Sequence, residues 1–165
     1  MYGDGWFFSG FDCIHEDQTD WCMEKLNKRK VPAMAFFHMP PAEFKEAYEK
    51  MKLGDHTVIY EHGSIGEKDE YFGISNRPPH FFEKAVDNGW LKWIFCGHDH
   101  LNTLSLTYKG IRMTYGMSID YLGYSGIAKQ YIQRGATLIT RKTNGNIDIT
   151  MVPLTTVVST RVRGA

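Results

Sequence analysis

The segment Gly97-His98-Asp99-His100 constrains the fold and chemistry of this 165-residue chain more than any other. It follows the apolar run Leu91–Cys96, which has the composition of a buried strand, and glycine permits the sharp turn that must end such a strand. Ligands of α/β sheets bind at strand ends, and neutral imidazole binds zinc, iron, manganese and similar ions. The segment therefore predicts a metal site at the end of a buried strand.

Helical and strand patterns alternate in the first part of the chain. Residues 33–37 are apolar on both faces, which is typical of a central parallel strand. We expect a glycine-containing loop over residues 52–77, and we expect Gly89 to end a helix. The predicted elements before His98 are strands at 6–8, 31–39 and 91–96 and helices at 16–29, 42–51 and from Pro78-Pro79 through Asn88.

After His100 the pattern changes to β-hairpins. Residues 104–108 and 111–115 predict one hairpin, and a second is predicted at 137–141 and 147–152 around the turn Asn144-Gly145. We expect residues 117–134 to form a loop. Strand–helix units followed by hairpins predict a single α/β domain over residues 1–165, with a mixed β-sheet and flanking helices.

Composition excludes several classes of function. Lysine and arginine number 19, aspartate and glutamate number 19, and no long basic block occurs, which argues against nucleic-acid binding. The three cysteines have no metal-knuckle or redox spacing and are expected to be reduced thiols. The longest apolar run is too short to span a membrane, and the first residues lack the pattern of a signal peptide. The cytoplasm is therefore the expected compartment.

His38 is the second informative histidine, because it is predicted at the end of a strand, as is His98. Parallel strands end at one edge of a sheet, so His38, His98 and His100 can meet there. Without a metal, His38 would be a core histidine with its hydrogen bonds satisfied, and residues 97–100 would be a polar turn. A metal site is favoured because the histidines lie at equivalent ends of two buried strands. The remaining histidines are expected at the surface: His15, His56, His62 and His80. Of these, His62 or His80 could still approach a substrate, because loops beside strand ends carry function.

Two motifs connect this chain to a known family. Phe36-Phe37-His38-Met39-Pro40 with Glu43-Phe44 resembles the F-F-H-x-P-x-x-E-F/Y segment of calcineurin-like metallophosphoesterases, in their purple-acid-phosphatase-like branch. Gly97-His98-Asp99-His100 with Asn102 is similar to the last metal motif of that family, G-H-D-H-x-N. Weaker matches in the same order extend the resemblance over residues 6–141.

The resemblance implies hydrolysis of phosphate esters at two divalent or trivalent metal ions, with iron, zinc or manganese expected. His38 and His98 would bind one ion and His100 the other, and the pair of ions would clamp the phosphate and activate water. Asp99 would orient an adjacent histidine through its other ring nitrogen. Asn102 and Arg134 would support the site or its loops, with Arg134 a candidate phosphate contact. The resemblance assigns no catalytic acid or base to this chain.

The chain lacks several other metal-binding motifs of this family. The motifs D-x-H, G-D-x-x-D and G-N-H-D/E, which supply the bridging carboxylate, the asparagine ligand and a further histidine, are absent. Three neutral imidazoles cannot offset the charge of two divalent ions, whereas one ion on three histidines and water is chemically reasonable. The resemblance covers about the C-terminal half of an α/β/β/α sandwich. We therefore expect a fragment, a truncated relative or a domain completed by a partner, with open edges that favour self-association.

Three hypotheses follow for the function. The first is a metal-dependent phosphoesterase, whose activity is not expected from this chain alone. The second is a catalytically inactive phosphoesterase-like scaffold or interaction module that binds at most one ion. The third is a small α/β binding domain in which the histidines are structural. The expected partners are a phosphate-ester substrate and a protein surface that covers the open half, with no nucleic acid and no membrane.

Overall fold

The structure is a computed structural model that describes residues 11–75, 80–130 and 134–154. The chain divides into two compact units, Met1–Gly116 and Met117–Ala165, and each is described by itself. The strand predicted at residues 6–8 lies outside the described residues. The expectation of one domain stays a prediction.

Three helices belong to the first unit: α1 (Glu16–Arg29), α2 (Ala42–Lys52) and α3 (Phe81–Asn88). They confirm the helices predicted from the sequence. Gly89 ends α3 as expected, because its φ of 75° is left-handed and its N–H donates to the carbonyl oxygen of Ala85 at 3.1 Å. Helix α1 begins after His15, whose backbone N–H donates to Gln18 Oε1 at 2.9 Å.

A five-stranded mixed sheet forms the rest of the first unit. Its strands are β1 (Ala33–Phe36), β2 (Val58–His62), β3 (Leu91–Cys96), β4 (Ser105–Tyr108) and β5 (Ile111–Tyr115). Their order in the sheet is β1-β3-β5-β4-β2, in which β1 with β3 and β3 with β5 are parallel and the other pairs are antiparallel. The sheet confirms the predicted α/β class with a mixed sheet and flanking helices.

Two details of the sheet differ from the prediction. Among the described strands β1 lies at an edge rather than in the centre, and Phe36 is 63% exposed. An apolar run shows that the two faces of a strand are apolar, but it does not show that both edges are paired. The predicted loop 52–77 contains a strand, β2. Its Ile59 and Tyr60 are both exposed, so β2 lacks the alternation of buried and exposed residues by which a half-buried strand is predicted.

The core lies between the helices and one face of the sheet. Ile94, Met113 and Leu106 form a row across β3, β5 and β4, and each is fully buried. Phe44 from α2 and Phe82 from α3 belong to the same buried cluster. Burial of large side chains at about 1.5–3 kcal/mol each supplies the main stabilisation of such a core. This packing holds the strands, and therefore their ends, in fixed positions.

The second unit contains an antiparallel hairpin of β6 (Gly135–Arg141) and β7 (Ile147–Pro153). Gly145 has a φ of 88° in the connecting turn, which confirms the hairpin predicted around Asn144-Gly145. The predicted loop 117–134 includes a short 3-10 helix, Ile127–Gln130. Within the described ranges, no helix has the length and apolar character needed to cross a membrane.

Candidate functional site

His38 and His98 each lie two residues beyond the end of a strand. Because β1 and β3 are parallel neighbours, their carboxyl ends lie at the same edge of the sheet. The pairing continues past the strands, since the N–H of Gly97 donates to the carbonyl oxygen of His38 at 3.0 Å. As a result His98 Nδ1 lies 3.3 Å from His38 Nε2, and the two ring planes are nearly perpendicular at 88°.

A separation of 3.3 Å between these nitrogens fits two arrangements. One is a hydrogen bond, in which one neutral ring donates and the other accepts. The other is a pair of ligands on one ion, because two nitrogens bound tetrahedrally to zinc at about 2.0–2.1 Å lie about 3.3–3.4 Å apart. The distance between the two nitrogens therefore matches that of two ligands on one ion.

The electrostatic environment of His98 favours its neutral, metal-binding form. Burial lowers the pKa of His98, and the nearby rings of His38 and His100 lower it further, although Asp99 acts in the opposite direction. A neutral imidazole is the form that binds metal ions. Protons therefore compete with a metal ion for the His98 ring less than they would for the ring of an exposed histidine.

The backbone of His98 is in an uncommon conformation. Its φ of 69° is left-handed, a region that residues with a side chain rarely adopt and that carries a cost of order 1–3 kcal/mol. The ring of Phe11 packs edge-on against the His98 ring, with centroids 4.4 Å apart. Backbone strain of this kind persists only where the surrounding contacts enforce it, so the backbone conformation at His98 is set by its neighbours.

Asp99 is buried behind the histidines. Its carboxylate oxygens accept the N–H of Gly73 at 3.1 and 3.0 Å, and Oδ2 accepts the hydroxyl of Tyr115 at 2.6 Å. Burial raises the pKa of Asp99, although both hydrogen bonds lower it. No described hydrogen bond of Asp99 reaches a histidine ring, so its orienting role stays a prediction.

Asn102 is fully buried and fixes a neighbouring loop. Its Oδ1 accepts the N–H groups of Gly66 and Glu67 at 3.0 and 3.1 Å, and its Nδ2 donates to the carbonyl oxygen of Tyr71 at 3.1 Å. These bonds dock the loop that follows β2 onto the segment that follows β3. Asn102 therefore acts on the loop beside the histidine pair.

His100 is half-buried and lies close enough to His98 to lower its pKa. The structure does not bring the predicted ligands into a complete set. Across residues 11–75, 80–130 and 134–154, no three histidine, cysteine, aspartate or glutamate side chains are grouped so that they could hold a metal ion. The pair of His38 and His98 is therefore the geometric centre of the candidate site.

Arg134 belongs to the second unit, where it is 1% exposed. Its Nε donates to the carbonyl oxygen of Asp120 at 2.7 Å, and Nη2 donates to that of Ile127 at 3.4 Å. The guanidinium group also lies over the ring of Tyr121, 5.2 Å from its centroid. These contacts organise the loop before β6, and a contact between Arg134 and phosphate stays a prediction.

A cleft of about 1290 Å³ opens beside β1 and reaches the candidate site. His38 lies on its wall together with Trp21 from α1 and Phe36 from β1, both of which are largely exposed. Solutes can therefore reach His38 through this cleft.

Comparison with known proteins shows which family the chain resembles. The chain is 25% identical over 132 residues to probable inactive purple acid phosphatase 29 of Arabidopsis thaliana, a match of 72% of this chain and 31% of that protein. It is 31% identical over 118 residues to probable inactive purple acid phosphatase 28 of the same plant, covering 67% of this chain and 27% of that protein. Over about 70% of its length, the chain is similar to purple acid phosphatase-like proteins.

These relatives lie in the calcineurin-like metallophosphoesterase superfamily, as the motifs around His38 and His98 predict. A third relative, probable inactive purple acid phosphatase 14, is 24% identical over 130 residues, which is 71% of this chain and 30% of that protein. No family model and no solved structure matches the chain. The chain spans about a third of the length of these purple acid phosphatase-like relatives.

Purple acid phosphatase-like proteins generally use a metal centre, and the described residues of this chain bring two imidazole nitrogens together, those of His38 and His98. His38 and His98 have the separation of two ligands on a single ion. Asp99, the residue after His98, accepts hydrogen bonds from the Gly73 N–H and the Tyr115 hydroxyl. Two divalent ions on neutral imidazoles alone would leave their charge uncompensated. The described residues therefore do not assemble a binuclear centre.

Sequence reasoning missed two residues of this site, Gly73 and Tyr115. The sequence places Tyr115 in a predicted hairpin strand and Gly73 in a predicted loop, and it assigns neither residue a role at the site. The available signals were a glycine directly after Phe72 and a tyrosine at the end of a strand that neighbours β3. Neither signal could show that both residues bind one carboxylate.

Proposed function

We propose that this chain is a phosphoesterase-like module that binds one divalent metal ion through His38 and His98 and does not hydrolyse phosphate esters by itself. The observation that carries the proposal is the 3.3 Å separation between His98 Nδ1 and His38 Nε2. The names of the relatives support the expected lack of hydrolysis, because all three are probable inactive purple acid phosphatases.

The expected lack of turnover has a chemical reason. A bound ion would supply a positive charge that attracts and polarises a phosphate oxygen. Hydrolysis also needs an activated water and stabilisation of the departing oxygen, which a second ion or a positioned acid normally provides. Among the described residues beside the histidine pair, Asp99 is 5% exposed and accepts hydrogen bonds from Gly73 and Tyr115, so solvent water has little access to it as a proton-transfer group.

Binding of a phosphate ester and association with a protein partner belong to the same proposal. The cleft beside β1 gives a ligand access to His38. Met34 and Phe36 expose apolar surface on β1, which among the described strands has a neighbour on one side. Exposed apolar edges of this kind favour strand pairing with another chain.

Titration with Zn²⁺ and Mn²⁺ by calorimetry, combined with hydrolysis of p-nitrophenyl phosphate, tests the proposal. We expect one ion per chain, a loss of affinity of more than about 10-fold in His38→Ala and in His98→Ala, and no metal-dependent turnover. His56→Ala is the matched control, because His56 is an exposed loop residue and its removal should leave binding unchanged.

Two results would overturn the proposal. Metal-dependent hydrolysis that His98→Ala abolishes would make the chain an active phosphoesterase. A chain that binds neither ion would make the histidine pair a structural hydrogen bond.

A further inference from the structure

Gly73 approaches the candidate site more closely than any residue with a side chain could. A Cβ atom at this position would lie 2.0 Å from Cδ2 and 2.5 Å from Nε2 of His98, and 2.7 Å from Oδ1 of Asp99. Real Cβ atoms essentially never come within 3.0 Å of another heavy atom. Gly73 is not among the glycines with a positive φ, so the position requires glycine for space rather than for backbone conformation.

Gly73 is held at this position from two sides. Its N–H donates to both oxygens of Asp99, and the same carboxylate is anchored to β5 by the hydroxyl of Tyr115. Two residues earlier, the carbonyl oxygen of Tyr71 accepts Nδ2 of the buried Asn102. The loop therefore cannot retreat easily from the His98 ring if a side chain is added.

A second contact on the ring comes from Phe11, which packs edge-on against it. The backbone at His98 has a left-handed φ of 69°, and Nδ1 of the ring lies 3.3 Å from His38 Nε2. An atom added at Gly73 would occupy the space that the ring needs for this orientation.

We propose that Gly73 is a positioning residue, whose missing side chain and whose N–H bond to Asp99 hold the His98 ring against His38. The orientation of the ring is a property of the metal-free protein. Its consequence for metal affinity rests on the proposed function.

The first test compares Gly73→Ala with Gly116→Ala. Gly116 also has no positive φ, and a Cβ there would make an ordinary contact of 3.6 Å with the carbonyl oxygen of Cys96, so this variant controls for the added methyl group. In the metal-free protein, we expect Gly73→Ala to shift the imidazole nitrogen NMR signals of His98 and His38 and Gly116→Ala to leave them in place. In zinc titrations, we expect Gly73→Ala to lose affinity by about 10–100-fold.

The second test needs no variant, which matters if Gly73→Ala does not fold. The close approach predicts a nuclear Overhauser effect between the Gly73 α protons and His98 Hδ2 in the wild-type chain. Absence of that signal, or unchanged imidazole signals in folded Gly73→Ala, would overturn the positioning role. If the wild-type chain binds no zinc, the proposed function fails, but the metal-free NMR experiments still decide the role of Gly73.

Discussion

The hydroxyl of Tyr115 donates a 2.6 Å hydrogen bond to Oδ2 of Asp99, and both residues are buried. This bond ties the end of β5 to the segment that follows β3. Burial raises the pKa of Tyr115 well above its ordinary value, so the phenol keeps its proton and remains a donor. The conformation of the residues around His98 therefore depends on a neighbouring strand as well as on their own sequence.

Tyr115→Phe should lower the free energy of unfolding by about 1.5–3 kcal/mol, because it removes a hydrogen bond to a buried carboxylate. It should also raise the pKa of Asp99, since burial already raises it and the Tyr115 bond is a cause that lowers it. Urea denaturation and carboxyl carbon NMR measure the two effects. Tyr108→Phe is the control, because its hydroxyl donates to Glu46, an exposed residue, at 2.8 Å. Equal losses in the two variants would contradict a special role for Tyr115.

Asn102→Ala should loosen the loop that carries Gly66 and Glu67. Each backbone N–H that loses the Asn102 oxygen costs about 1–3 kcal/mol if water does not replace it. Urea denaturation should show this loss, and hydrogen exchange should be faster at the two amides. Asn27→Ala is the exposed control: it removes a hydrogen bond that Asn27 Oδ1 accepts from Asn88 Nδ2 at 2.8 Å, and it should cost less than Asn102→Ala because water can replace that bond. Unchanged exchange at both amides in Asn102→Ala would count against the docking role.

His62 should make stability depend on pH. Burial lowers its pKa, and Arg112, which donates to its Nδ1 at 3.1 Å, lowers it further. Its Nε2 is buried without a hydrogen-bond partner among the described residues. The unfolded chain therefore binds a proton at higher pH than the folded chain, near the ordinary value of 6.5. The contribution of neutral His62 to the free energy of unfolding is therefore fully present above pH 6.5. It is lost as pH falls from there toward the lowered pKa of His62 in the folded chain.

Thermal unfolding of the wild-type chain and of His62→Gln at pH 7.5 and 5.5, two conditions about one unit either side of the ordinary histidine pKa, measures this effect. The wild-type chain should lose more stability between the two conditions than the variant loses. The lowered pKa of His98 acts equally in both proteins and cancels. Parallel losses would show that His62 keeps an ordinary pKa in the folded chain.

Local sequence patterns predicted the three helices and both hairpins because each pattern is set by residues close together in the chain. The approach of His38 to His98 also followed from the sequence, since neighbouring parallel strands end at one edge of a sheet. The partners of Asp99 did not follow, because Gly73 and Tyr115 are 26 and 16 residues away and meet it only through the docking of a loop. The resemblance suggested that Arg134 supports the site or its loops, but not that it binds carbonyl oxygens in its own unit.

The central claim is that His38 and His98 share one metal ion, and zinc titration followed by imidazole nitrogen NMR tests it most directly. We predict that the signals of His38 Nε2 and His98 Nδ1 shift together and saturate at one equivalent of zinc, while the exposed His56 and His80 remain unchanged. The account is contradicted if zinc leaves both signals in place, or if the exposed histidines shift instead.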